Sequence, residues 1–142
     1  MRLDVVGDRV RAMQTSHRVE VIDRAGLRVL VLSGSAGLEA QADLDRAANA
    51  ILAGRPEAVV IDARGLEFLA SLAIGSLLRL SKSVRRHGGR VRVGGLRPEV
   101  REVFRRTRVD EVLDVEDDHG AFMTMLQDLS IESAPTDGPP PR

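Results

Sequence analysis

Residues 58–75 read AVVIDARGLEFLASLAIG, and this stretch decides the fold. Residues 58–61 form an apolar run that is typical of a buried strand, a short loop follows, and an amphipathic helix begins near Ser71. This order predicts that a helix N-terminus carrying a serine faces solvent at the carboxyl end of a strand. The free backbone N–H groups of such a terminus suit a binding surface or a phosphate.

The composition indicates one domain with an aliphatic core. The chain has 142 residues, of which 43% are hydrophobic and 2% are aromatic. A second domain is not expected at this length. Cysteine is absent, which excludes disulfides, thiolate metal sites and cysteine nucleophiles, and the few aromatic residues disfavour base stacking. No apolar run approaches the roughly 20 residues that a membrane span needs, so we expect a cytoplasmic protein.

The net charge is zero, but the charges are unevenly distributed. Basic residues dominate residues 79–108, and residues 110–118 are acidic without a basic residue. One interpretation is a set of solvated helix faces, and the other is a polarised surface that orients a partner. The arginines could also contact nucleic acid, but they fall on different predicted elements and no helix-turn-helix signature accompanies them.

The hydrophobic pattern divides the chain into three parts. Residues 1–17 form an N-terminal arm or a weak extra element, residues 18–129 form the domain, and the Pro-rich residues 130–142 form a disordered tail. Within the domain, strands are predicted over residues 19–23, 27–32, 58–61, 91–93 and 112–115, and helices over residues 44–52, 71–87, 98–107 and 117–129. Residues 33–37 are predicted to break the second strand.

Strands that alternate with helices at this spacing predict an α/β fold. The Ala25-Gly26 turn makes the first strand pair antiparallel, and the later crossovers make the remaining pairs parallel. We therefore expect a mixed, mostly parallel sheet of 4–5 strands with about four helices.

Five strings of the sequence occur in a recognisable order: VVID (59–62), FLASLAIGSLL (68–78), RRHGGRVRV (85–93), PEVREVF (98–104) and TRVDEVL (107–113). Together they resemble the STAS family (sulfate transporter and anti-sigma factor antagonist). The resemblance covers about residues 18–126.

The resemblance implies a STAS-like fold and a part in signalling and transcription regulation. Bacterial single-domain members of the family bind an anti-sigma factor that is also a serine kinase. That kinase phosphorylates a Ser or Thr at the start of the helix after the central strand, which switches binding off. The family's string there runs roughly Asp-Ser-Ser/Thr-Gly-Leu-Gly. This chain has Ala70 for the acidic residue and Leu72 for the usual phospho-acceptor, whereas Ser71 is retained one residue earlier.

A helical wheel gives an independent prediction for this site. At about 100° per residue, Leu72 falls opposite the centre of the core face, near Ser76 and Arg79. Leu72 is then either an ordinary exposed residue, one covered by the preceding loop, or an apolar anchor for a partner. On the last interpretation the predicted partner-binding residues are Leu72, Ala73, Ser76, Arg79 and Glu67. The core arc comprises Ala73, Ile74, Leu77, Leu78, Leu80 and Val84.

Ser71 has three candidate roles. It could cap the helix with its hydroxyl oxygen, or it could accept a phosphate stabilised by the free N–H groups and the helix dipole. A nucleophilic role is disfavoured, because no Gly-x-Ser-x-Gly elbow and no suitably spaced histidine are present.

The remaining polar residues do not indicate catalysis. Asp62, at a strand end, is predicted to cap or brace the following loop. His17, His87 and His119 lie far apart in sequence, so they are expected at the surface or at helix caps, and no metal or cofactor is expected.

The leading interpretation is a non-enzymatic, protein-binding regulatory module. It resembles anti-sigma factor antagonists and binds an anti-sigma factor/serine kinase of the GHKL type through residues 66–79. The alternative is an accessory STAS subunit of an ABC-type lipid transporter, which presses the same surface on the ABC ATPase. A nucleic-acid binder is the weakest alternative, and a homodimer is compatible with the pattern.

Overall fold

The computed structural model describes residues 2–6, 9–13, 17–24, 26–37 and 39–129. The tail predicted over residues 130–142 lies outside the described residues. No helix in the described part of the chain combines the length and the apolar character that a bilayer crossing requires.

Within the described residues, seven strands, four α-helices and one short 3-10 helix follow one another. In chain order they are β1 (Arg2–Val6), β2 (Arg9–Met13), β3 (His17–Arg24), β4 (Leu27–Ala36), α1 (Ala40–Ala53), β5 (Ala58–Leu69), α2 (Ser71–Arg86), β6 (Arg90–Gly94), α3 (Pro98–Arg106), the 3-10 helix (Val109–Glu111), β7 (Asp114–Val115) and α4 (His119–Asp128).

One sheet holds all seven strands in sequence order. Strands β1 to β4 pair antiparallel, and β4 to β7 pair parallel. From His17 onward the chain forms five strands and four helices, which confirms the predicted mixed α/β class. The predicted arm contributes β1 and β2, which extend the sheet beyond β3. Strand β7 is shorter than predicted, because Val112 caps the 3-10 helix instead of joining the strand.

Strands β4 and β5 continue past their apolar segments, which corrects two predictions. A break is expected at residues 33–37 and a loop after residue 61, but residues 33–36 and 62–69 are strand. Ser33 pairs with Gly65, and Ala36 pairs with Leu69. Each strand satisfies the backbone groups of the other, and the glycine conformation at Gly34 (φ 77°) lets β4 follow the shifted register.

The sheet carries a hydrophobic core on each face. The larger core packs α1, α2 and α3 against alternate residues of β3 to β6. The smaller core lies under α4, where Phe122 and Leu126 contact the opposite face of the sheet. Alternation of side chains along each strand produces this two-sided burial. Helix α2 is therefore fixed on one side by the larger core, which leaves its other side available to solvent.

Candidate partner-binding surface

Helix α2 begins directly after β5, with one residue between them. Ala70 is the N-cap in an extended conformation, and its N–H donates to the carbonyl oxygen of Ala36 at 2.9 Å. The prediction that Ser71 caps the helix is therefore wrong, because the longer β5 moves the cap to Ala70 and makes Ser71 the first helical residue. Ser71 is exposed, and no side chain caps this terminus.

Leu72 projects into solvent from the first turn of α2. Its exposed fraction is 49%, which confirms the placement predicted by the helical wheel. Phe68, at the end of β5, is 54% exposed. These two are the exposed large hydrophobic side chains of the described residues, and they lie on either side of the junction between β5 and α2.

Phe68 is absent from the predicted partner-binding residues, because this segment was expected to be loop. The register between β4 and β5 moves from Gly34–Leu66 to Ser35–Phe68, so Glu67 is an extra residue in β5. An inserted residue of this kind breaks the alternation of side chains. As a result Leu66 and Leu69 both enter the larger core, whereas Phe68 faces solvent.

Two of the predicted partner-binding residues are buried, which is a correction. Ala73 is 0% exposed and belongs to the larger core. Ser76 is 2% exposed because α1 covers it, and its hydroxyl donates a 2.8 Å hydrogen bond to Asp45. Neither side chain can contact a partner directly in this conformation.

Arg79 and Glu67 remain at the surface, each in an ion pair with another element. The guanidinium of Arg79 donates to Asp45 at 3.3 Å and to the Ser76 hydroxyl at 3.1 Å. Glu67 lies 3.6 Å from the guanidinium of Arg97. We call Glu67, Phe68, Leu72 and Arg79 the docking surface; its apolar pair lies between charged side chains.

The arginines of β6 and α3 are largely matched by carboxylates. Arg105 pairs with Glu102, and the hydrogen bond and charge of Glu102 raise the pKa of Arg105. The other pairs are Arg90–Asp114, Arg92–Glu116, Arg97–Glu67, Arg101–Asp117 and Arg106–Glu102. Three of these pairs, Arg90–Asp114, Arg92–Glu116 and Arg101–Asp117, join the basic run of the sequence to its acidic run, which weakens the nucleic-acid interpretation.

His17 is buried, contrary to the surface or cap role predicted for it. It is 2% exposed, and its Nε2 lies 2.6 Å from Oδ2 of the buried Asp43 on α1. Its position in alternation with Val19 and Val21, on the core face of β3, was the signal that could have revealed this. His87, which caps the C-terminus of α2, and His119, at the start of α4, are exposed.

Asp62 braces the chain just after it, as predicted, although that segment is strand instead of loop. Its carboxylate is fully buried and accepts hydrogen bonds from the backbone N–H of Arg64 at 3.2 Å and from its guanidinium at 2.7 Å. Among the described residues, no group of three or more His, Asp or Glu side chains is arranged to hold a metal ion.

Several known structures share the fold of this chain. The crystal structure of an anti-sigma factor antagonist from Mycobacterium paratuberculosis has a TM-score of 0.68 at 24% identity, covering 82% of this chain and 98% of that one. The Bacillus cell fate determinant SpoIIAA in its phosphorylated form has a TM-score of 0.54 at 17% identity, covering 87% and 97%. A sulfate transporter family protein from Wolinella succinogenes has a TM-score of 0.57 at 14% identity, covering 75% and 92%. At these identities the likeness shows the fold alone.

The family assignment comes from the sequence. No curated protein sequence matches the chain. The family model described as "Mlab, STAS domain" matches residues 17–115, which is more than half of the chain and spans β3 to β7. The chain belongs to the STAS domain family.

Proposed function

We propose that the chain is a non-enzymatic regulatory module that binds a protein partner through the docking surface. The partner is an anti-sigma factor with serine kinase activity of the GHKL type, and the complex forms in the cytoplasm of a bacterium. Phe68 and Leu72 are the apolar anchors, and Glu67 and Arg79 contribute charged contacts at the rim.

The exposure of Leu72 and Phe68 at one helix start carries this proposal. Both side chains extend from positions fixed by the larger core, since Leu69 and Ala73 beside them are buried. Rigid apolar anchors with charged neighbours are typical of the energetically important centre of a protein interface. The likeness to anti-sigma factor antagonists supports the class of partner.

Ser71 is the candidate site for control of this contact by phosphorylation. It is exposed at the first position of α2, where a phosphate would meet free backbone N–H groups and the positive end of the helix dipole. Nearly two negative charges next to Leu72 would oppose burial of the apolar pair.

A second candidate function is an accessory subunit of an ABC-type lipid transporter. The observation that favours it is Leu72 itself, because a leucine cannot accept the phosphate that the family's usual residue accepts. A permanent contact with an ABC ATPase fits such a position. Ser71 would then be an ordinary surface residue.

The proposal is tested in two steps. The purified chain is first used as bait to capture a partner. Candidate GHKL kinases and ABC ATPases from the same genome are then expressed separately, and the binding of each to the chain is measured by isothermal titration calorimetry. Saturable binding of a kinase supports the leading proposal, and binding of an ATPase alone supports the second. Binding of neither class contradicts both.

A further inference from the structure

The solvent side of α2 has a regular charge pattern. Leu72, Arg79 and Arg86 are seven residues apart, so they lie almost above one another at intervals of about 10 Å. Lys82 flanks this row and is exposed. The apolar end of the row follows Phe68 by four residues along the chain, and the rest of the row is basic.

Helix α2 contains four basic residues, Arg79, Lys82, Arg85 and Arg86, and no acidic residue. Arg85 donates to the carbonyl oxygen of Val112 at 2.6 Å, and Arg79 is shared with Asp45. Lys82 and Arg86 have no carboxylate partner within the described part of the chain. They differ in this from the paired arginines of β6 and α3.

The guanidinium of Arg79 lies between Leu72, at the apolar end of the row, and the basic residues Lys82 and Arg86. A Cβ atom built on Gly75 would lie 3.4 Å from its Nη1, so the guanidinium extends over Gly75 towards the first turn of the helix. Asp45 and Ser76 hold it there. We call Arg79, Lys82 and Arg86 the basic stripe.

We propose that the partner presents an apolar socket followed by a row of carboxylates, which lie opposite Lys82 and Arg86 at about 15 Å and about 20 Å from the socket. This inference rests on the proposed function and specifies the chemistry of the partner. The ligand is an acidic, amphipathic protein segment.

Charges at the rim favour a protein over an anionic membrane or a nucleic acid. The side chain of Glu67 is 50% exposed next to Phe68, and that of Asp45 is 44% exposed next to Arg79. A continuous layer of phosphates would place negative charge against both carboxylates. A protein can instead position its carboxylates opposite Lys82 and Arg86 and avoid Glu67 and Asp45.

The test uses two fluorescein-labelled helical peptides of about 20 residues, a length at which an isolated helix forms. Both carry leucines on one face of the first turns; one carries glutamates along the rest of that face, and the other carries glutamines. Fluorescence anisotropy measures their affinity for the full chain.

Two double variants of the chain are compared. The first is Lys82→Glu with Arg86→Glu. The second, the matched control, is Arg105→Glu with Arg106→Glu, which changes the net charge by the same amount but on α3. Circular dichroism confirms that each variant folds.

We expect the glutamate peptide to bind about tenfold more tightly than the glutamine peptide, and its affinity to fall between about 50 mM and about 300 mM salt. Lys82→Glu with Arg86→Glu should remove most of this preference, whereas the α3 control should change affinity by less than about twofold. Equal binding of both peptides, an equal effect of the two variants, or no binding of the glutamate peptide overturns the inference. Binding of phosphatidylglycerol vesicles or duplex DNA without binding of the glutamate peptide also overturns it.

The outcome is separable from that of the proposed function. If an anti-sigma kinase is captured in a Leu72-dependent manner but the Lys82 and Arg86 variant captures it equally well, the proposed function stands and this inference fails. If Leu72→Asp leaves capture unchanged, the docking surface itself is wrong.

Discussion

The hydroxyl of Ser76 donates a 2.8 Å hydrogen bond to Asp45 and thereby joins α2 to α1 directly behind Leu72. The same carboxylate oxygen accepts from Arg79 at 3.3 Å. One acidic residue of α1 therefore fixes both a buried and an exposed side chain of α2. These two hydrogen bonds hold the first two turns of α2, which carry part of the docking surface, against α1.

Ser76→Ala should lower the free energy of unfolding by about 1 kcal/mol, because it removes a hydrogen bond to a charged group while water can still reach Asp45. Ser83→Ala, on the same helix, is the matched control and should cost less than about 0.5 kcal/mol. Urea denaturation followed by circular dichroism measures both. Equal costs would show that the bond to Asp45 contributes nothing to the α1–α2 contact.

The buried pair of His17 and Asp43 should be strongly coupled. His17→Leu should cost about 3 kcal/mol, because it leaves the Asp43 carboxylate buried without its histidine partner, and Arg46, at 3.2 Å, compensates only in part. Replacing both residues by leucine should cost less than the sum of the single changes, since no unpaired charge then remains. Denaturant unfolding of the wild type, both single variants and the double variant gives the coupling free energy. Additive costs of the two single changes would contradict the pairing. The control is His87→Leu: because His87 is exposed, this change should have little effect on the free energy of unfolding.

Gly94 leaves the space that Phe122 of α4 occupies. A Cβ atom on Gly94 would overlap Cδ1 of that buried ring, so Gly94→Ala should destabilise the chain by about 2 kcal/mol through overpacking. Phe122→Leu in the same chain should recover part of the loss. Thermal unfolding measures each variant.

Gly75→Ala is the contrasting control. Its Cβ would meet the flexible end of Arg79 at 3.4 Å, and alanine in a helix interior is favoured over glycine by about 0.5–1 kcal/mol. This variant should therefore be at least as stable as the wild type. A stability loss like that of Gly94→Ala would mean that Arg79 cannot move aside.

Phosphorylation by a cognate kinase should modify Ser71 or no residue at all. Ser71 is exposed at the first position of α2, whereas Ser76 and Ser81 are buried. Mass spectrometry after incubation with the kinase and ATP locates the phosphate, and Ser71→Ala should abolish the signal. Phosphate on another residue of α2 would contradict the proposed switch.

The sequence predicted those elements in which the hydrophobic pattern is strongly periodic. The wheel for α2 placed Leu72 correctly because its core arc is continuous from Ala73 to Val84. The same wheel could not show that α1 covers Ser76, because that contact depends on Asp45, a residue 31 positions earlier. Two predictions for Ala73 conflict, because it falls on the core arc and is also among the predicted partner-binding residues. The structure agrees with the core arc, since Ala73 is buried.

The elements that the pattern missed depend on contacts between distant segments. The extended part of β5 contains Asp62, Arg64 and Glu67, so it lacks an apolar run, and it forms because β4 supplies a backbone partner as far as Ala36. The inserted Glu67 then places Phe68 on the solvent side of β5, whereas regular alternation after Leu66 would place it on the core side. The burial of His17 similarly requires Asp43, which lies 26 residues away. The alternation of His17 with Val19 and Val21 indicates which face of β3 it lies on, but local periodicity does not show that Asp43 is its partner or that β4 extends β5.

Titration of the captured partner with the wild-type chain and with Leu72→Asp tests the central claim most directly. Thr124→Asp, at an exposed position of α4, is the matched control. We expect Leu72→Asp to abolish detectable binding while changing the free energy of unfolding by no more than about 0.5 kcal/mol, because the side chain is exposed. Thr124→Asp should bind like the wild type. Binding of Leu72→Asp with wild-type affinity would contradict the account, as would a loss of stability comparable to that of a core substitution.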